Sequence, residues 1–129
     1  PIAVPVSNSI PVPETIGHHT ITFNGNSVEV ANVDFAGGQT FSWYALMGNG
    51  DLVKAIWGND WRMPSEEELR IMTQLGATPA LNLMGGYWSS TSVDDNEAQL
   101  YYNNGAGGRG VNPNPKSEYA KVRPVYIGQ

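Results

Sequence analysis

Glycine and proline divide this chain into short segments, and their distribution limits the fold more than any other feature. The 129 residues include 15 glycines and 9 prolines, which leaves little room for a long helix. Chains of this length usually form one domain with its own core. The 40% of hydrophobic and 15% of charged residues are typical of a globular chain rather than a disordered one. We therefore predict one loop-rich and β-rich domain with few helices.

Proline also separates the first part of the chain from the rest. The residues concerned are Pro1, Pro5, Pro11 and Pro13. Each proline fixes φ and lacks a backbone donor, so we expect an extended arm or linker over residues 1–17. From residue 18 to residue 129 we predict the folded domain, which opens with the alternating segments HTITF and SVEVANV. Between them Asn24-Gly25 supplies the positive φ angles of a tight hairpin turn, in a connection that extends through Asn26.

The clearest helix signal is the sequence PSEEEL. Ser65 is a good N-cap, and Glu68 can complete a capping box with it at the positive end of the helix dipole. An apolar stripe, an i,i+4 ion pair and a glycine stop follow, namely Leu69, Met72 and Leu75, then Glu66 with Arg70, then Gly76. DLVKAIWG before it is a second candidate helix, whereas the aromatic segment TFSWYALM is compatible with more than one structure.

Short alternating segments dominate the rest of the chain. They are GYWSST, EAQLYY, RGVN and YAKVRPVY, separated by turns rich in glycine and asparagine. Together with the helix signals, they predict an α+β fold with antiparallel sheets and one or two short helices.

Charge and composition exclude several functional classes. A net charge of −5 without a cluster of Lys and Arg argues against nucleic-acid binding. No apolar run approaches the roughly 18 residues of a membrane-spanning helix, so we predict no membrane insertion. Since Pro1 is not a start residue, any signal peptide is expected to lie outside this sequence. The absence of Cys excludes disulfides and thiolate chemistry, and we predict neither a cofactor nor a bound metal.

Three segments in order, WGNDWRMPSEEEL, GYWSST and KVRPVY, resemble one family. The chain is similar to the bacterial major-paralogous-domain branch of the C-type-lectin-like fold, over Ala55 to Tyr126. This family shows a WGxxWRMPTxxE segment that opens a helix, then YWSS, an Asn- and Gly-rich stretch and a terminal VRPV strand. The resemblance implies a lectin-like binding domain on a bacterial surface or a phage particle.

The resemblance also extends to the variable proteins of diversity-generating retroelements, whose C-terminal lectin-like region is hypermutated at adenines, most often in Asn codons. Asparagines crowd the corresponding stretch here, namely Asn96, Asn103, Asn104, Asn112 and Asn114. Two interpretations stay open at this point. The stretch is either a diversified ligand surface or a polar region in which Asn and Gly serve left-handed turns.

The strand EAQLYYN supplies a candidate ligand face. Alternation places Ala98, Leu100 and Tyr102 on one side and Gln99, Tyr101 and Asn103 on the other. Tyr offers a large amphipathic contact area and Asn adaptable hydrogen bonds, as in antibody paratopes. We therefore predict an exposed binding face formed by Gln99, Tyr101, Asn103, Arg109, Asn112, Asn114 and Tyr119, with Asn96 and Asn104 beside it.

Other conspicuous residues are predicted to be structural. Trp57, Trp61 and Trp88 are expected in the core, and Arg123 is expected to form a buried salt bridge. The run from Asp94 to Glu97 offers oxygen ligands for calcium but is predicted to be a solvated turn, because calcium needs six to eight converging oxygens. His18 and His19 point opposite ways on a strand and have no third His, so neither is predicted to bind a metal.

The sequence thus predicts a non-enzymatic adhesion or receptor-recognition module, since no nucleophile, base and orienting group are recognisable together. Its expected partner is a protein or glycan on another cell or particle, and an oligomer is compatible with the sequence. One alternative is an assembly or adhesin-tip domain of a surface appendage. Another is a calcium-dependent carbohydrate lectin, although the sugar-binding motifs of that group (Glu-Pro-Asn, Gln-Pro-Asp and Trp-Asn-Asp) do not occur.

Overall fold

The computed structural model describes residues 15–73, 83–103 and 109–128, without the side chain of Arg109. The strands are β1 (His18–Phe23), β2 (Asn26–Ala31), β3 (Trp61–Arg62), β4 (Gly85–Ser92), β5 (Glu97–Asn103), β6 (Arg109–Pro115) and β7 (Val125–Tyr126). The helices are α1 (Trp43–Met47), α2 (Leu52–Trp57) and α3 (Glu66–Met72), with a 3-10 turn at Phe35–Gly38. The prolines of the predicted arm, Leu75, Gly76 and Asn104 lie outside the described residues.

The described strands form two antiparallel sheets, in the order β1-β2-β7-β3 and β4-β5-β6. The α+β class with antiparallel sheets is therefore confirmed. TFSWYALM contributes α1, so the described residues hold one short helix more than the one or two predicted. Ser42 starts α1, because its hydroxyl accepts a hydrogen bond from the Ala45 N–H at 3.2 Å.

The predicted hairpin is present and is tighter than expected. Asn24 and Gly25 have φ angles of 54° and 81°, and Phe23 pairs directly with Asn26. Two left-handed residues between paired strands match the right-handed twist of the hairpin. Asn26 therefore belongs to β2 rather than to the connection.

Helix α3 begins as the capping box predicts. The Ser65 hydroxyl accepts from the Glu68 N–H at 3.2 Å, and the Glu68 carboxylate accepts from the Ser65 N–H at 2.9 Å. The same carboxylate binds Arg62 of β3 at 2.6 Å, which ties the helix start to the four-stranded sheet. Leu69 and Met72 of the apolar stripe are buried, and the Glu66–Arg70 pair forms at 2.8 Å.

The three-stranded sheet lies between two apolar clusters. On one side Trp88, Ala98 and Leu100 join residues of α1 and α2, including Leu46 and Val53. On the other side Tyr87, Tyr101 and Val111 join Leu69 and Met72 of α3 together with apolar residues of the β1–β2 hairpin. Each face of the sheet therefore carries part of the core, and Trp57, Trp61 and Trp88 are all buried, as predicted.

Arg123 forms the salt bridge that the sequence predicts. Its guanidinium contacts the carboxylate of Asp34 at 2.9 Å, and only 4% of the residue is exposed. The guanidinium also donates to the carbonyl of Ala31 at 3.3 Å, and the Tyr87 hydroxyl donates to Asp34 at 3.2 Å. Burial and the Asp34 carboxylate raise the pKa of Tyr87, which keeps this donor protonated. Hence β4 and the segment that leads into β7 are both held to the turn that follows β2.

Candidate functional site

The predicted exposure of the β5 ligand face is wrong at two central positions, where the residues are buried. Tyr101 is 1% exposed and Asn103 is 7% exposed. Asn103 donates its side-chain amide to the carbonyl of Leu83 at 3.0 Å. The alternation along β5 is as predicted, but the face that carries these residues packs against α3 and the hairpin. Gln99, on the same face, is half-buried.

The exposed aromatic residue of β5 is Tyr102, which sequence alternation grouped with the inward-facing Ala98 and Leu100. Tyr102 is 52% exposed. Its cross-strand partners are glycines, Gly86 on β4 and Gly110 on β6. Because neither neighbour has a side chain to cover the ring, and the first apolar cluster extends only as far as Leu100, the tyrosine stands open to solvent.

Two asparagines of the edge strand β6 lie on the same face as Tyr102. Asn112 pairs with Leu100 and Asn114 pairs with Ala98, so both side chains share the face of Tyr102. The amide nitrogen of Asn112 lies 3.5 Å from the position that a Cβ on Gly110 would take, diagonally next to the tyrosine. The amide of Asn114 donates to the carbonyl of Asn112 at 3.1 Å. We call Tyr102, Asn112 and Asn114 the Tyr102 surface.

The remaining predicted residues are not gathered at this surface. Asn96 is exposed in the turn before β5, at the opposite end of that strand from Tyr102. Tyr119 is 72% exposed in the segment after β6. Asn104 and the side chain of Arg109 lie outside the described residues. The Tyr102 surface thus retains Asn112 and Asn114 from the predicted set and adds Tyr102, which the sequence prediction had placed on the strand face opposite to the candidate ligand residues.

The acidic segment Asp94 to Glu97 before β5 forms a turn that is stabilised by hydrogen bonds from its own backbone N–H groups. The Asp94 carboxylate accepts from the N–H groups of Asn96 and Glu97, both at 2.8 Å. The ammonium of Lys116 donates to the Asp94 carbonyl at 2.6 Å. In the described ranges no group of three His, Asp or Glu side chains is arranged to hold a metal ion.

The two histidines make local contacts within the hairpin and its neighbours. His18 shares a hydrogen bond of 2.7 Å with Glu29 and stacks on Tyr126 with ring centroids 4.0 Å apart. His19 shares a hydrogen bond with Asn32. These contacts give both residues a structural role at the surface of the four-stranded sheet.

A shallow cleft of about 300 Å³ lies between α1 and α2, with Phe41, Ala45 and Asp51 among its lining residues. Its carboxylate is already engaged. One oxygen of Asp51 caps α2 by accepting from the Val53 N–H at 2.9 Å, and the other accepts from the Met63 N–H at 2.9 Å. The Asp51 carboxylate therefore has a structural role. Since the other lining residues carry no acidic or basic side chain, the cleft offers no free acid or base.

Comparison with family models and with curated proteins supplies no relative from which a function could be transferred. No family model matches this chain, and no curated protein matches it either. Along the part of the chain that is described, no helix is both long and apolar enough to cross a membrane. The function is therefore inferred from the chain's own residues.

Proposed function

We propose that this chain is a non-enzymatic binding module with a C-type-lectin-like fold, which presents the Tyr102 surface to a protein or glycan. Its expected location is a cell surface or a phage particle. The order of the motifs supports this assignment, because WRMPSEEEL leads into α3, GYWSST lies in β4 and KVRPVY ends in β7. Two antiparallel sheets with short helices are compatible with it.

The observation that carries the proposal is the exposure of Tyr102 at 52% between two glycines. An exposed tyrosine on a rigid central strand offers a large amphipathic surface at little cost in side-chain entropy. The neighbouring amides of Asn112 and Asn114 can donate and accept hydrogen bonds in several geometries. This combination suits recognition of a partner surface, and it contains neither a nucleophile nor a base for catalysis.

The same geometry refines the proposal that the surface is diversified by a retroelement. Asn112 and Asn114 project from the edge strand and can change without disturbing the core, whereas Asn103 is buried and hydrogen-bonded. Sequencing the flanking DNA tests this idea. We expect an imperfect repeat of the region that encodes Gly86 to Pro124, with adenine differences at the codons of Tyr102, Asn112 and Asn114. A repeat that differs chiefly at Asn103 would contradict the assignment, and the absence of a repeat would favour a fixed ligand.

A binding experiment tests the surface itself. The labelled protein is applied to a glycan array and to a panel of intact bacterial cells, with and without EDTA. For any probe that is bound, we expect Tyr102→Ala to weaken binding by about tenfold or more, the loss typical of a central aromatic contact. The matched control is Tyr44→Ala, which removes another exposed tyrosine on α1, 49% exposed.

Two results would overturn the proposal. If Tyr102→Ala binds the probe as well as the wild type does, the ligand binds elsewhere on the protein. If Tyr102→Ala and Tyr44→Ala lose the same amount of affinity, the effect is a nonspecific one of removing an exposed aromatic ring. Glycan binding that EDTA abolishes would instead favour the calcium-dependent lectin. The arrangement of the described residues argues against that outcome, because no three of their His, Asp or Glu side chains converge on one point.

A further inference from the structure

Strand β1 forms one edge of the four-stranded sheet and pairs only with β2 among the described strands. Because the turn contains two residues, Phe23 and Asn26 form a hydrogen-bonded pair, and such pairs alternate along an antiparallel hairpin. The backbone groups of His19, Ile21 and Phe23 therefore face β2. Those of His18, Thr20 and Thr22 face outward.

An independent contact confirms which backbone groups of β1 face β2 and which face outward. If residue 30 directs its backbone toward β1, residue 31 must direct its backbone toward the other side, where β7 lies. The Ala31 N–H does donate to the carbonyl of Pro124 at 2.9 Å, on the β7 side of the strand. Within the described ranges, no hydrogen bond is made by the outward backbone groups of His18, Thr20 and Thr22.

The other long sheet edges are protected. The outer edge of β4 is covered by the segment around Lys121, which exchanges backbone hydrogen bonds of 2.9 Å with Gly86 and Trp88. On β6 the outward positions include Pro113 and Pro115, which have no N–H to donate.

At Val111, another outward position of the β6 edge, Arg70 of α3 donates to the backbone carbonyl at 3.3 Å. The Pro115 carbonyl accepts from the Glu118 N–H at 3.0 Å. Among residues 15–73, 83–103 and 109–128, none covers the β1 edge in this way, and the six residues of β1 include neither proline nor lysine.

We propose that the β1 edge is an interaction surface for a second copy of this chain, which pairs its own β1 in antiparallel orientation about a two-fold axis. This inference goes beyond the proposed ligand binding and does not depend on it. Two-fold pairing requires a self-complementary patch, and an antiparallel edge strand meets that condition with its own outward donors and acceptors. The outward groups of Thr20, flanked by those of His18 and Thr22, form the centre of this patch.

The distribution of charge supports a second copy as the occupant. The chain carries a net charge of −5, which opposes self-association over most of its surface. Residues 17–28 contain no Asp, Glu, Lys or Arg, so two β1 edges can approach without placing like charges opposite each other. The nearest carboxylate, Glu29, lies one strand inward and is already hydrogen-bonded by His18 and Thr20.

The pairing would be weak and concentration-dependent, because two six-residue strands bury less area than a standard interface. Its functional consequence would be bivalency. Two Tyr102 surfaces on one dimer could engage a repetitive ligand together, and linked sites can raise overall avidity well above the affinity of either one.

Sedimentation equilibrium of the full chain over a range of concentrations tests the inference. We expect the average mass of the wild type to rise toward that of two chains. Thr20→Pro removes the central outward N–H and should leave a monomer at every concentration. Thr20→Val is the matched control, since it loses the same hydroxyl contact to Glu29 but keeps the N–H, and it should associate as the wild type does.

Circular dichroism of each variant establishes that it is folded. If Thr20→Pro does not fold, Thr22→Lys and Ser27→Lys replace it. Both changes break the same hydroxyl pair and add one positive charge, but only Thr22 lies on the edge strand. A wild type that stays monomeric throughout, or edge variants that associate as strongly as their controls, would overturn the inference. A wild type that dimerises but binds none of the probes would instead count against the Tyr102 surface and leave this inference standing.

Discussion

Replacing Asp34 with Asn should destabilise the fold more than any comparable change at a surface ion pair. The change keeps the shape of the side chain but leaves the guanidinium of Arg123 without its counter-charge, where only 4% of that residue is exposed. Breaking a buried pair by neutralising one partner typically costs 3–5 kcal/mol. We expect about 3 kcal/mol, since Arg123 retains the Ala31 carbonyl and Tyr87 can still donate to the new amide oxygen.

Urea unfolding followed by tryptophan fluorescence measures this loss, and the chain contains 4 tryptophans to report it. The urea concentration at the unfolding midpoint should fall, while the slope of the unfolding free energy against urea concentration stays constant. This result would show that stability is lost without a change in the surface area exposed on unfolding. In thermal unfolding the same loss corresponds to a drop of roughly 10 °C for a chain of this size.

The control is Glu66→Gln, which breaks the exposed pair with Arg70 on α3. The side chains of that pair are 31% and 50% exposed, so water screens their attraction and the expected cost is below about 1 kcal/mol. A double-mutant cycle with Asp34→Asn and Arg123→Gln should give a coupling of about 1.5 kcal/mol or more. If Asp34→Asn costs no more than Glu66→Gln, the reasoning about the buried charge is wrong.

Three further predictions concern local structure. Ser65→Ala removes the N-cap of α3 and should cost about 1 kcal/mol in urea unfolding; an unchanged midpoint would show that the cap is redundant. Burial raises the pKa of Glu68, but the hydrogen bonds from Arg62 and Ser65 outweigh it and hold that pKa below the usual value. Because the folded pKa is depressed, this stabilisation should be complete above about pH 4.5 and be lost as the pH falls through the folded value. Glu68→Gln should flatten that part of the plot of unfolding free energy against pH. If the wild type and the variant lose stability in parallel as the pH falls, Glu68 is not the group responsible. Gly25→Ala forces a side chain onto a φ of 81° and should cost about 1 kcal/mol, whereas an unaffected thermal midpoint would contradict the turn geometry.

Local signals in the sequence predicted the elements that depend on near neighbours. The capping box of Ser65 and Glu68 and the Asn24-Gly25 turn follow from contacts between residues at most three positions apart. The antiparallel α+β class and the buried tryptophans also followed from the pattern. Helix α1 was not assigned, because its aromatic residues suit either a strand or a helix and only the Ser42 cap distinguishes the two.

The candidate site was harder to predict, because exposure on a strand depends on what packs against each face. Alternation separated Tyr101 from Tyr102 correctly but could not show that α3 covers the first and glycines surround the second. The adjacent apolar residues Leu100 and Tyr101 were the available signal, since a continuous apolar run indicates a strand buried on both faces. The open ring of Tyr102 depends on its cross-strand register with Gly86 and Gly110, which no local pattern specifies.

The way in which the β6 edge is protected has a consequence for how this protein can change over generations. Pro113, Pro115 and the Arg70 contact to Val111 guard the edge through the backbone and through a helix distant in sequence. The side chains at positions 112 and 114 take no part in that protection. These two side chains can therefore change without creating a strand that recruits other chains into aggregates, which is what the proposed function requires of a variable surface. The residues that protect the edge and the residues that are free to change thus alternate along one strand.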